Sequence, residues 1–470
     1  MERKTPEKSG VFLYFRPFSV YFAGIFFFNK PMILKHFDRI WKSESVKQKI
    51  LVTIGLIVVY KFLSVLPVPG VNVDALQALR NFLSANQGLA FFGSLMGGGL
   101  ENFSIVLMGL SPYINATIIL QLLAVVIPHL ESLKKEGESG QKKINNYTRY
   151  LTLPLAFAQS YGMIVLINTL VAGTGGKLID TANFWGAVFP AMIFITAGTL
   201  LLLWLGDLIS ESGIGNGTSM IIFAGVLAGV PSHVTQYLSV GNIPLLLILL
   251  AMTVGVIYVI IKFTEGYRKI PLIYTKTGRD ERSYFPIRVN QAGMIPIIFA
   301  VSIVTFPALI GQILAVKSSG RAASLGQFLL ENFSMNNPGW LYIGVYFALI
   351  LLFSFFYISI VFNPSEIAEN IQKRGGYVPG IRPGKDTAEF LEKTSNHLNL
   401  YGGSFLALIA VFPYVMTKLN NMLGLIDVSG SGQIDFLISG AGLIIVVGVV
   451  LDLVRRIDTE LKSYDYKKFY

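Results

Sequence analysis

Residues 91–130 read FFGSLMGGGLENFSIVLMGLSPYINATIILQLLAVVIPHL, and the rest of the chain is organised about them. The first third is a poor spanning helix. It holds Gly93, Gly97, Gly98 and Gly99 and then Glu101 and Asn102, and each glycine costs about 1 kcal/mol in a helix interior. From Ile105 onward the stretch reads as an apolar helix long enough to span a bilayer. A short, half-polar segment thus leads directly into a spanning helix. Irregular backbone at membrane depth persists only where protein or a water-filled cavity surrounds it. The expectation is a re-entrant segment over 91–104, lying in a cavity lined by the helix that follows. The alternative is an ordinary outer loop.

Composition agrees with a membrane setting. Of the 470 residues 53% are hydrophobic and 14% charged, with mean hydropathy +0.59; soluble domains are about 25% charged. Cysteine is absent, which excludes disulfides, thiolate nucleophiles and Cys-based zinc sites. His36, His129, His233 and His397 are scattered, so neither a metal site nor a cofactor is expected. Ten apolar segments lie near 47–67, 105–130, 148–171, 184–208, 217–230, 243–263, 292–315, 339–362, 398–417 and 433–452. Most approach the ~20 residues a bilayer needs. Lys61 falls inside the first, near enough to its end to snorkel or to meet a partner helix. Residues 1–46 alternate Lys and Arg with aromatics and carry Arg16-Pro17. They read as an interfacial extension, neither a span nor a cleaved signal.

Charge sets the orientation. With the N-terminus inside, 32 of the 38 Lys and Arg fall in inner segments and 5 in outer loops. That asymmetry predicts both termini in the cytoplasm, with 453–470 as a cytoplasmic tail. Ten spans divide into two five-helix halves, 47–238 and 239–452. An odd number of spans per half relates the halves by inverted topology. No sequence repeat is strong enough to prove it.

Two inner loops are long and organised. In 264–291, Arg268, Lys269, Lys276, Arg279 and Arg282 interleave with Tyr267, Tyr274, Tyr284 and Phe285. In 363–397, KRGGYVPGIRPGK at 373–385 is a Gly/Pro-shaped turn bearing Lys373, Arg374, Arg382 and Lys385. Such loops suit a large anionic partner, RNA phosphate included; the plainer reading is the positive-inside rule alone. GIGNG at 213–217 reads as a tight turn, and Ser404 has no partner for nucleophilic catalysis, so no enzyme is expected.

Several ordered motifs resemble the SecY family, the channel subunit of the bacterial Sec translocon. They are GLSPYINATIILQLL at 109–123, KKEGESG at 134–140, YTRY at 147–150, GIGNG at 213–217, IIFAG at 221–225, VNQAGMIP at 289–296 and PGIRPG at 379–384. The resemblance runs from about Lys47 to the C-terminus and leaves out the first 40 or so residues. It implies an all-α membrane protein of ten transmembrane helices, in two pseudo-symmetric, inverted halves around an hourglass pore. A plug would include Gly97, Gly98, Gly99, Leu100, Glu101, Asn102 and Phe103. A pore ring would comprise Leu110, Ile114, Ile222, Ile295, Ile298 and Ile445, with Thr218 in or just outside it. A lateral gate between spans 2–3 and 7–8 would carry Asn115, Gln159 and Asn290. Arg268, Lys269, Arg279, Arg374, Arg382 and Lys385 would dock the ribosome or the SecA motor, and SecE and SecG would be companion subunits. The implied activity is passage of unfolded preproteins with signal sequences and sideways release of apolar segments into membrane lipids. A secondary transporter with inverted repeats is the competing class. It would need a charged midplane site, and the spans are nearly free of Asp and Glu.

Overall fold

The computed structural model describes residues 43–85, 93, 99–171, 176–239, 243–276, 279–317, 321–333, 339–423 and 438–468. The N-terminal extension, Gly97 and Gly98 lie outside them. Helices occupy all ten apolar segments: α1 (Glu44–Val65), α3 (Ser111–Val126), α5 (Glu138–Val171), α6 (Phe189–Ser212), α7 (Gly217–Ser239), α8 (Ile243–Thr264), α9 (Ile295–Lys317), α11 (Trp340–Val361), α13 (Lys385–Leu423) and α14 (Gly440–Lys468). Shorter helices join them: α2 (Val73–Ala85), α4 (Pro128–Lys135), α10 (Arg321–Phe333) and α12 (Pro364–Lys373). Among the described residues six helices are long and apolar enough to cross a membrane, and the bent pair α3–α4 is a seventh candidate. The protein is a multi-pass, helical membrane protein.

Three expectations need correction. The second span does not begin at Ile105. Residues 100–110 are turns, and the helix starts at Ser111. Gly109 adopts φ +51, which breaks any helix arriving from upstream. Pro112 then occupies the first turn, where its missing N–H costs nothing. Sixteen residues rise about 24 Å, and a 105° bend before Pro128 turns α4 aside. Second, the loop 264–291 is a hairpin, β1 (Tyr267–Lys276) with β2 (Arg279–Arg288), and β3 (Gly376–Tyr377) adds to β1. A small sheet therefore sits outside the helical body. Third, the loop 363–397 is mostly helical, since α12 and the first turns of α13 fill it.

The two halves share a device at their second helices. Gly109-Leu110-Ser111-Pro112 leads into α3, and Gly293-Met294-Ile295-Pro296 leads into α9. Gly293 also has positive φ, +65. Each turn rests on a glycine of its half's fourth helix. A methyl at Gly198 of α6 would collide with the Ile105 carbonyl, and one at Gly402 of α13 with the Val289 carbonyl. Backbone lies directly on helix at both places, so no side chain fits there.

The cores differ. In the second half one cluster runs continuously through α9, α11, α13 and α14, from Ile297 and Phe353 to Leu406 and Ile444. Tyr342, Tyr346 and Tyr414 pack within it, tilted or edge-to-face, at centroid separations of 5.4–6.3 Å. Among the described residues the first half has two main clusters, besides a small one of Leu120, Leu130 and Leu133. One joins α2, α5 and the start of α6; the other lies around α7 and draws in Ile445 and Val449 of α14.

Candidate functional site

The segment entering α3 is clamped. The Val68 N–H donates to the Phe103 carbonyl and the Ile105 N–H to the Leu66 carbonyl, each at 3.0 Å. The Arg80 guanidinium of α2 donates to Asn102 Oδ1 at 2.7 Å. Phe103 has φ +44, a left-handed conformation unusual for a bulky residue, and is 0% exposed. Leu100 and Phe103 pack with Leu79, Leu83 and Ile164. Of the expected plug residues, Leu100 to Phe103 are thus built into the wall between α1 and α2. Glu101 is exposed, and Gly99 lies against Ser104.

Beyond the clamp the chain reaches the middle of the molecule. Leu110, Ile222 and Ile445 are 2%, 7% and 1% exposed, and Ile114 and Ile298 pack against them in one apolar cluster. Five of the six expected ring residues therefore converge from α3, the turn before it, α7, α9 and α14. Ile295 is the exception: it packs against the second half's core. Met294 is in the shared cluster instead. The parallel between GLSP and GMIP explains this, because Met294 occupies the place of Leu110, and Ile298 that of Ile114. Thr218 points elsewhere; its hydroxyl donates to Asn216 Oδ1 at 2.6 Å in the turn opening α7.

The three amides expected at a gate do not meet. Among the described residues no hydrogen bond links Asn115, Gln159 and Asn290. Asn290 is buried and its Oδ1 accepts from the Gly293 N–H at 2.9 Å, holding the turn before α9. Gln159 Oε1 on α5 is buried without a partner, as is Gln121 Oε1 on α3. Sequence reading missed Gln121. The helices themselves are adjacent, since α3 packs on α5, α5 touches α9, and α9 packs on α11.

The basic end carries the sheet. Ile270, Leu272 and Ile287 face α12 and α13, where they meet Ile371, Leu391 and Leu398. Strand alternation sends Lys269 to the opposite face. Its ammonium lies 4.7 Å from the Tyr284 ring centroid and 5.8 Å from that of Tyr267. Arg268 is half-buried and pairs in register with Ile287, on the packed face. This departs from the expectation of a docking cation. Arg279 opens β2 opposite Lys276. Arg374, Arg382 and Lys385 are exposed on the neighbouring turn, which β3 ties to β1 through Ile273 and Tyr274. The two loops form one platform.

Comparison with known proteins accords with this architecture. A family model described as SecY matches residues 104–454. The Protein translocase subunit SecY of Corynebacterium glutamicum is 38% identical over 440 residues, covering 91% of this chain and 98% of that protein. Its namesake from Streptomyces galbus is 37% identical over 452 residues, covering 93% and 100%. Among solved structures, one described as a protein conducting channel matches with TM-score 0.59 at 16% identity, over 88% of this chain and 92% of that one. The channel of the canine ribosome-channel complex from the endoplasmic reticulum matches with TM-score 0.56 at 16% identity, over the same shares. The family match and the channel fold together define the class as protein-conducting membrane channels. The chain belongs to the SecY family and is a channel subunit of protein translocation.

Proposed function

We propose that the shared cluster of Leu110, Ile114, Ile222, Met294, Ile298 and Ile445 is the resting seal of the pore. The observation that carries this reading is their convergence from both halves into one apolar centre. Aliphatic side chains offer no hydrogen bonds. A narrow ring of them dewets and blocks ions, yet fits any unfolded chain because it recognises none. Residues 99–104 would be the fixed root of the plug.

The lateral gate would lie between α3 and α5 on one side and α9 and α11 on the other. The unpartnered oxygens of Gln121 and Gln159 support this placement. An unsatisfied buried acceptor costs roughly 1–3 kcal/mol, so the closed seam is poorly satisfied and easily parted by a signal helix. Asn290 serves this gate by fixing the start of α9.

Both termini would face the cytoplasm, in the bacterial cytoplasmic membrane, as the charge asymmetry requires. The platform bearing Lys269, Arg374, Arg382 and Lys385 would dock the ribosome or SecA. SecE and SecG would complete the complex, and the channel itself would catalyse nothing. A photocrosslinker at Ile298 should capture a stalled secretory chain, and one at Arg382 a cytosolic partner. Active export with no capture at Ile298 would overturn the pore assignment.

A further inference from the structure

The end of α11 lacks a donor. In a continuing helix the Ile360 carbonyl would accept from the N–H of residue 364, but that residue is proline and has none. The chain instead turns extended at Phe362, with ψ 112. Asn363 is already engaged, accepting from the Glu366 N–H to start α12. An orphan carbonyl is left at the negative end of the helix dipole. The Lys134 ammonium supplies the donor, with Nζ 2.5 Å from Ile360 O. Burial against the protein pulls the lysine below its ordinary pKa.

The two partners belong to different halves. Lys134 sits on α4, between α3 and α5, and Ile360 ends α11. Those helices are the opposite edges of the gate described above. The other side of the molecule is joined more broadly, as α7 packs against α8 and α14 and α1 touches α14, and Lys49 pairs with Glu460 at 2.6 Å. On the gate side α5 meets α9 within the bundle, and the lysine spans the mouth. A charge-assisted bond to a carbonyl is strong for a single contact, yet water can replace both partners here because the lysine is exposed.

We propose that Lys134 is a latch: its bond to the Ile360 carbonyl holds the resting lateral gate shut at the basic mouth, making it a positioning residue for sideways release. This inference rests on the gate placed between α3/α5 and α9/α11. The bond must break when a signal helix parts the seam, and it re-forms on closure because Pro364 leaves the carbonyl no helical donor.

The test uses the assembled channel complex in planar bilayers, with neither motor nor ribosome present. Lys134→Met removes the donor at similar length, and Lys134→Arg keeps one. The Met variant should open about five- to tenfold more often at rest, and the Arg variant should stay near the parent. Export of a secretory chain with a weakened signal should rise in the Met variant alone. A Met variant as quiet as the parent, or an Arg variant as open as Met, overturns the latch. A photocrosslinker at Gln159 reports the gate separately. Capture of an inserting apolar segment with unchanged resting openings sinks the latch only, whereas no capture during active insertion sinks the gate and the latch together.

Discussion

The two halves begin their second helices alike and arrive there differently. Both use a positive-φ glycine, a proline in the first helical turn and a glycine seat on the fourth helix. In the second half the irregular approach is short, running from Val289 to Met294 below a continuous core. In the first half it extends over 99–110 and divides the core in two. The difference shows where irregular backbone is tolerated. It occurs where neighbouring segments supply partners, as Leu66 and Val68 of the α1–α2 connection and Arg80 of α2 do. On the proposed reading the pore wall is the property of neither half, since its residues pack where the two meet.

Substitutions at three places probe that comparison. The largest effect is expected at the seats. Gly198→Val and Gly402→Val should each cost about 3 kcal/mol or more by displacing backbone, read as loss of assembled, protease-resistant complex. If Gly402→Val assembles normally while Gly198→Val does not, the two seats are not equivalent. Next comes the centre. Ile222→Asn should raise resting ion leak about tenfold or more by wetting the seal, and Ile295→Asn should leave the leak near the parent level. Equal leaks would return Ile295 to the ring. The smallest effect is at the clamp, whose Ile105-to-Leu66 bond is matched in the second half by the Val289 N–H donating to the Gly266 carbonyl at 3.0 Å. Arg80→Ala should weaken it by about 1 kcal/mol. Amide exchange at Phe103 to Ile105 should quicken about fivefold, with no change at Asn290 to Gly293.

Apolar run lengths made the membrane setting, the ten helices and the five-plus-five division legible in the sequence. Run length is silent about backbone, so the approach through 105–110 read as helix even though Gly109 and Pro112 stood in view. The hairpin was also in view. Ile270 and Leu272 alternate, as do Phe285 and Ile287, but the interleaved cations drew the reading toward a binding loop. Helical spacing placed Ile295 and Ile298 on one face. It could not reach Met294, which enters the ring from the turn before the helix. The GLSP and GMIP parallel is too short to be seen as a repeat until the turns they make are compared. Lys134 lies 226 residues from its acceptor, beyond any local pattern, although Pro364 announced that a carbonyl would go begging.

A barrier assembled from both halves carries a consequence for leakage during transport. On the proposed reading, parting the halves sideways to release a segment would also draw Ile298 and Ile445 away from Leu110 and Ile222, so the side door and the central bore would open in one motion. The polypeptide in transit must serve as its own gasket, and membrane integrity then depends on the door reclosing as fast as the chain clears it.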